Sequence, residues 1–323
     1  MTDILLRGRT LSFRRWPEGV DDAASYSYED DGGVLIRDGR IAAAGTYADV
    51  AGSASEGARV IDHRPHLILP GFIDAHAHFP QMQVIASYGA ELLDWLNNYT
   101  FPEETRFRDA QHGRRIARLF LDEMVRHGTT TVAAYCSVHK ESAEAFFAES
   151  HERNMLNIAG KVMMDRNAPE ALRDTPQSGY DDTKALIAEW HGRGRQHYAI
   201  TPRFAITSSP EQMEMAGALA NEFPELHIQT HLSENDAEIA FTCELYPEAR
   251  DYTDIYARYG LLGKRTLLGH CIHLSDREAD VLSQAGSVAV FCPTSNLFLG
   301  SGLFAYQRLR AREKPLRIAA ATD

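Results

Sequence analysis

The sequence predicts an α/β fold, a closed (β/α)8 TIM-type barrel preceded by a small β-sheet domain, and three observations lead there. From about residue 67 onward, apolar strand-like runs alternate with longer amphipathic windows, and eight such runs can be counted. Residues 1–66 carry only short β-like runs. The residues able to do chemistry cluster where the apolar runs end, which in a parallel barrel is a single rim. The expected organisation is therefore a sheet domain over 1–66 and a barrel over 67–323.

Each element follows from local chemistry. Ile4-Leu5-Leu6, Gly33 to Ile36, Arg40 to Ala43 and Arg59 to Ile61 read as strands of a small antiparallel sheet, with a turn at Asp38-Gly39. The acidic stretch Glu29 to Asp31 and the small-residue segment Ala51 to Gly57 read as solvated loops. Pro65 and Pro70 bracket the approach to the barrel. Its strands are expected at Leu67 to Ala75, Thr129 to Cys136, Leu156 to Met164, Tyr198 to Ile206, Leu226 to Thr230, Thr266 to His270, Ser287 to Cys292 and Leu316 to Ala321. Helices are expected near 109–127, 141–153, 181–193, 210–222, 251–261, 275–285 and 303–313, some opened by capping residues such as Asp181 or Ser275.

Composition narrows the function. A formal net charge of -12 argues against nucleic acid or an anionic membrane as partner, since both need a positive field. No stretch approaches the roughly 18 apolar residues of a membrane span, and the N-terminus lacks the apolar core of a signal peptide, so a cytoplasmic location is expected. Cys136, Cys243, Cys271 and Cys292 form no C-x-x-C pair, sit mostly in apolar runs and read as reduced, buried thiols. His139-Lys140-Glu141 imitates the H-x-E of cysteine-ligated zinc deaminases, but no P-C-x-x-C follows, so that site is rejected.

The most informative stretch is Leu69 to His78, an apolar run ending in His76-Ala77-His78. Side chains alternate along a strand, so His76 and His78 share a face and can converge on a metal such as zinc. H-x-H alone is equally compatible with two exposed histidines. Other strand ends add Arg203, His231 with Glu234, His270 and Asp323, whereas those near Cys136, Met164 and Cys292 are apolar or thiol-bearing. Asp74 shares the face of His76 and reads either as a support for the site or as a core carboxylate.

PGFIDAHAHFPQ, TPRF, HLSEN, GHC and the closing ATD, in that order, resemble the successive motifs of the zinc-dependent amidohydrolase superfamily. HAHFPQ followed by WLNNYTFPEE is similar, within it, to the guanine deaminases. The resemblance implies an amidohydrolase-type barrel and one zinc, or iron, held by His76, His78, His231 and Asp323. A zinc so held lowers the pKa of its water to about 7. It implies Glu234 as proton shuttle between water and ring nitrogen N3, His270 as a hydrogen-bonding neighbour of the water, and Asp323 as carrier of the next proton to the leaving amine. The reaction implied is hydrolysis of guanine to xanthine and ammonia, in purine catabolism.

Arg203 offers a fork of donors to the O6/N7 edge, Gln81 an amide to the N1-H/O6 side and Phe204 a flat contact. Trp95, Leu96, Tyr99 and Phe101 occupy a long connection that either covers the pocket or merely tops the barrel. The alternatives are a deaminase of another aminated heterocycle (a modified purine, cytosine or a triazine) and, from another class, a non-catalytic barrel scaffold. The resemblance also implies a homodimer and, because related chains continue beyond the eighth strand, a longer native polypeptide truncated here after Asp323.

Overall fold

The computed structural model describes residues 3–19, 21–88 and 92–323, and the chain divides into two compact units, Met1–Gly71 and Phe72–Asp323. In the first, β1 (Ile4–Phe13), β2 (Tyr26–Arg37), β3 (Arg40–Thr46) and β4 (Arg59–Ile68) form a sheet of order β3-β2-β1-β4, with α1 (Tyr47–Ala51) between β3 and β4. Asp38 and Gly39 both have positive φ (52° and 74°), the geometry of a two-residue hairpin turn matched to strand twist. Leu5, Leu35 and Val50 form the core.

Two expectations change here. The sheet is mixed rather than antiparallel, because the segment after β3, including α1, carries the chain across the sheet and β4 then runs parallel to β1. The acidic stretch is no loop: Glu29 to Asp31 lie within β2, where Arg7 donates to both oxygens of Asp31 at 2.7 and 2.6 Å. A charged residue is tolerated there because its side chain stays partly exposed and paired.

The second unit contains β5 (Phe72–His78), α2 (Leu92–Trp95), α3 (Phe101–Glu104), α4 (Ala110–Arg126), β6 (Thr129–Tyr135), α5 (Lys140–Glu152), β7 (Asn157–Gly160), β8 (Val162–Met163), α6 (Pro176–Trp190), β9 (Gln196–Pro202), α7 (Pro210–Glu222) and β10 (His227–Leu232). It continues with α8 (Asp236–Leu245), α9 (Tyr252–Arg258), β11 (Thr266–His270), α10 (Asp276–Ala285), β12 (Val288–Phe291), α11 (Pro293–Phe298), α12 (Tyr306–Arg310) and β13 (Arg317–Ala320). The strands run parallel in the order β5-β6-β7-β9-β10-β11-β12-β13, with β8 pairing β9 as a short continuation of β7. This is the expected eight-stranded barrel, near-closed: the Thr322 N–H donates to Asp74 Oδ1 at 3.1 Å and the Asp323 N–H to the His76 carbonyl at 2.9 Å.

The run Leu67 to Ala75, expected as one strand, is two, because Leu69, Pro70 and Gly71 lie outside both β4 and β5. Five helices, α1, α2, α3, α8 and α11, were not foreseen, and α8 is the longest of them. α8 is opened by a capping box in which Asn235 caps the N-terminus and Glu238 reaches back to the cap. Ser275 opens α10 with the same kind of box, Ser209 caps α7 by accepting from the Gln212 N–H alone, and α6 is capped by Thr175 rather than by Asp181, which lies within the helix. Cys243, expected to be buried, is exposed. Phe79, Phe107, Phe120 and Phe146 interlock between β5, α4 and α5 with ring centroids 5.3 to 6.3 Å apart, which anchors the end of β5 from behind.

Candidate active site

The C-terminal ends of β5, β9, β10, β11 and β13 converge, and they do so with buried ionisable groups. His76, His78 and His270 are buried, and His76 Nε2, His231, His270 and Asp323 present ligand atoms that all lie within 4.8 Å of one another. His78 belongs to the same group, with its Nε2 3.0 Å from His231 Nε2 and 3.4 Å from Asp323 Oδ1. Gly269 makes this possible, since a Cβ there would sit 2.7 Å from His76 Cε1.

Each ligand atom is aimed by a neighbour. His231 donates from Nδ1 to the Arg203 carbonyl at 2.7 Å, which leaves its Nε2 lone pair facing the cluster. Asn296 donates from Nδ2 to His270 Nδ1 at 2.8 Å, so His270 carries its proton on Nε2. Asp74 accepts from the Thr322 hydroxyl at 2.6 Å, tying the last strand to the first, and Ser295 donates to Asp323 Oδ2 at 2.6 Å. His270, Ser233, Cys271 and Asp323 all hold positive φ between 50° and 74°, backbone geometry that clusters at functional sites.

Burial governs the charges. It holds His78 and His231 well below the usual histidine range and His270 at about 4, so these imidazoles are neutral near pH 7. Burial also works against the Asp323 charge, but the surrounding imidazoles of His76, His270 and His78 outweigh it and keep the carboxylate ionised. Glu234 goes the other way: burial, then the negative charges of Asp323 and Glu238, push its pKa well above the carboxylate range, with the Ser301 hydroxyl at 3.1 Å opposing them. Its Oε2 lies 3.3 Å from His270 Nε2.

A pocket opens on this cluster, lined by His78, Gln81, Trp95, Arg203, Phe204, His231, Glu234, His270 and Asp323 together with Leu92, Leu96 and Leu299. Trp95 and Leu96 thus do face the pocket, whereas Phe101 is buried with its ring centroid 5.5 Å from the Arg203 guanidinium and Tyr99 is partly exposed. Arg203 donates from Nη1 to Glu104 Oε2 at 2.6 Å, and Gln81 donates from Nε2 to Glu104 Oε1 at 3.1 Å. Glu104, Asn296, Ser295 and Ser301 were not singled out from sequence. Only Glu104 stood inside a quoted motif, as the last residue of WLNNYTFPEE.

The donor set fits a metal ion. His76 Nε2 is buried without a hydrogen-bond partner, and three imidazoles with one carboxylate are the ligand chemistry that zinc and similar divalent ions take.

Residues 67–323 match the Amidohydrolase family. The chain is 44% identical over 319 residues to the guanine deaminase of Escherichia coli K12, an alignment spanning 98% of this chain and 72% of that protein. The solved E. coli guanine deaminase superposes with a TM-score of 0.95, covering 99% of this chain and 74% of that one. Guanine deaminase from Bradyrhizobium japonicum gives 0.97 at 38% identity, over 100% of this chain and 70% of that one. Guanine deaminase from C. acetobutylicum with bound guanine in the active site gives 0.87 at 30% identity, over 100% of this chain and 74% of that one. The chain belongs to the amidohydrolase family, among the guanine deaminases.

Proposed function

We propose that this chain hydrolyses guanine to xanthine and ammonia. The observation that carries the reading is one pocket in which the fork of Arg203, the amide of Gln81 and the ring of Phe204 face Glu234, His270 and Asp323. A purine with an acceptor-rich O6/N7 edge fits Arg203, and a pyrimidine lacks that edge. The convergence of the histidines, Glu234 and Asp323 speaks against a scaffold that has shed its chemistry.

His76, His78, His231 and Asp323 would hold the metal, zinc in this reading and iron as the alternative. His270 is assigned outside the ligand set, because Asn296 occupies its Nδ1 and leaves an Nε2–H that donates rather than ligates. When bound, the ion supplies Lewis acidity that makes water nucleophilic near neutral pH.

The chain's own groups do the rest. With a cation's charge beside it to offset the negative neighbours that raise its pKa, Glu234 would be ionised; it takes a proton from the attacking water and delivers it to ring nitrogen N3, which makes C2 electrophilic. His270 Nε2–H donates to the oxygen developing on C2. Asp323 then carries the proton of the hydroxyl on C2 to the amino group, and ammonia leaves as the C2–N bond breaks and C2=O forms. Trp95 and Leu96 line the pocket mouth and limit water.

Ammonia release from guanine by the metal-loaded protein, with cytosine and adenine as controls, tests the reading. Turnover of guanine alone is expected, and absence of it overturns the proposal. Elemental analysis decides zinc against iron, and sedimentation decides the homodimer that this reading includes. The reading also places the enzyme in the cytoplasm. Among the described residues no helix is long and apolar enough to cross a membrane.

A further inference from the structure

We infer that Glu104 is the positioning residue that makes the pocket read a lactam edge, an N–H beside a C=O, by fixing which way Gln81 and Arg203 face. The inference rests on the deaminase reading for its ligand, but not for its logic. Glu104 is buried, does not line the pocket, and spends one carboxylate oxygen on each of the two side chains that do. Its main chain is fixed as well, since the Ser137 hydroxyl donates to the Glu104 carbonyl at 3.0 Å.

An ionised carboxylate only accepts hydrogen bonds. The end of the Gln81 amide that approaches Glu104 must therefore be the NH2, and the flip that would put two acceptors face to face is excluded. Gln81 is left with its Oε1 free toward the pocket, an acceptor awaiting an N–H. Arg203 has only donors, and with Nη1 held by Glu104 its remaining N–H groups await acceptors. An acceptor and a set of donors side by side complement N1–H and C6=O of a 6-oxopurine. They oppose the 6-aminopurine edge, where N1 accepts and the amine donates.

With glutamine at 104 the constraint is lost. An amide can accept or donate, so Gln81 can turn over and present either end. The charge-assisted pair between Glu104 and Arg203 is lost too. Aspartate at the same place keeps the charge but is one methylene shorter and cannot span both partners.

The test is equilibrium binding of hypoxanthine and adenine to the metal-loaded protein by calorimetry, for the wild type, Glu104→Gln, Glu104→Asp and Gln81→Met. Hypoxanthine has the lactam edge and no amine at C2, so binding is read without turnover. The wild type is expected to prefer hypoxanthine, and each variant to reduce that preference at least roughly tenfold, the scale for misaligning one buried hydrogen bond to a ligand. With guanine, Glu104→Gln is expected to raise KM more than it lowers kcat, because the group it orients binds the edge away from C2. A preference kept by Glu104→Gln or Glu104→Asp overturns the inference. So does one kept by Gln81→Met, which leaves the Glu104–Arg203 pair in place and stands even if the Glu104 variants fold poorly. A preference lost on substitution, in a protein that never turns over guanine, would overturn the reaction assigned to the site and leave the role of Glu104 standing.

Discussion

The barrel carries histidines at both ends of its strands, and at one end four of them gather around one carboxylate. At the C-terminal end, His76, His78, His231 and His270 surround Asp323. At the N-terminal end, His227 opens β10, His197 lies near the start of β9 and His191 stands just beyond α6, with the rings of His191 and His197 5.6 Å apart. Burial lowers the pKa of His227 and His191 as it lowers that of His231, but the charge that acts on both members of the lower pair is Arg265, opposed at His191 by Glu225. Neutral imidazoles are thus common to both ends. What the upper end adds is a carboxylate in direct contact with its imidazoles, with His76 Nε2 3.0 Å from Asp323 Oδ1.

The comparison breaks most completely if the carboxylate is removed. Asp323→Asn is expected to lose the metal and with it all measurable turnover, as read by elemental analysis and ammonia release. Metal retained at one per chain would mean that the histidines alone suffice. Glu234→Gln keeps the ligands and takes only the proton shuttle, so metal content should stay while kcat falls by about 10² to 10⁴. A fall of less than tenfold would remove Glu234 from the proton path. Asn296→Ala acts one step further back, freeing the His270 ring. A loss of roughly 10- to 100-fold in turnover, with the metal still bound, is the scale expected for a residue that orients a working imidazole.

The two ends also differ in how readily they were read from sequence. The upper group stands at apolar run ends and inside recognisable motifs, so the positions of His76, His78, His231, His270 and Asp323 followed from strand periodicity plus barrel architecture. Its supports did not. Glu104 reaches Arg203 across 99 residues of chain, and Asn296 reaches His270 from α11, so neither partnership leaves a local pattern. The mixed sheet of the first unit is illegible for a similar reason, since β1 and β4 pair across more than fifty residues and strand direction is a property of the connection. α8 is a different case: its Asn235 and Glu238 capping box was present in the sequence, hidden because Asn235 is also the last residue of the site motif HLSEN.

The smallest effect tests the lower group, and its sign follows from linkage. His227 has its pKa lowered from 6.5 to about 4, by burial first and then by the charges of Arg265, His197 and His191. Between these values the unfolded chain binds a proton that the folded one refuses, so stability rises with pH there. The contribution is complete above about 6.5 and is lost as pH falls through about 4. Replacing His227 with glutamine removes the titration and should flatten the slope of unfolding free energy against pH within that window. The measurement is denaturant unfolding of the metal-loaded protein from pH 7 to pH 4, taken as the difference between variant and wild type. The groups that titrate in the upper cluster are common to both proteins and cancel in that difference. Parallel curves would mean that the lower histidines already accept protons in the folded barrel, and that the two ends differ in hydration as well as in the carboxylate that the upper end adds.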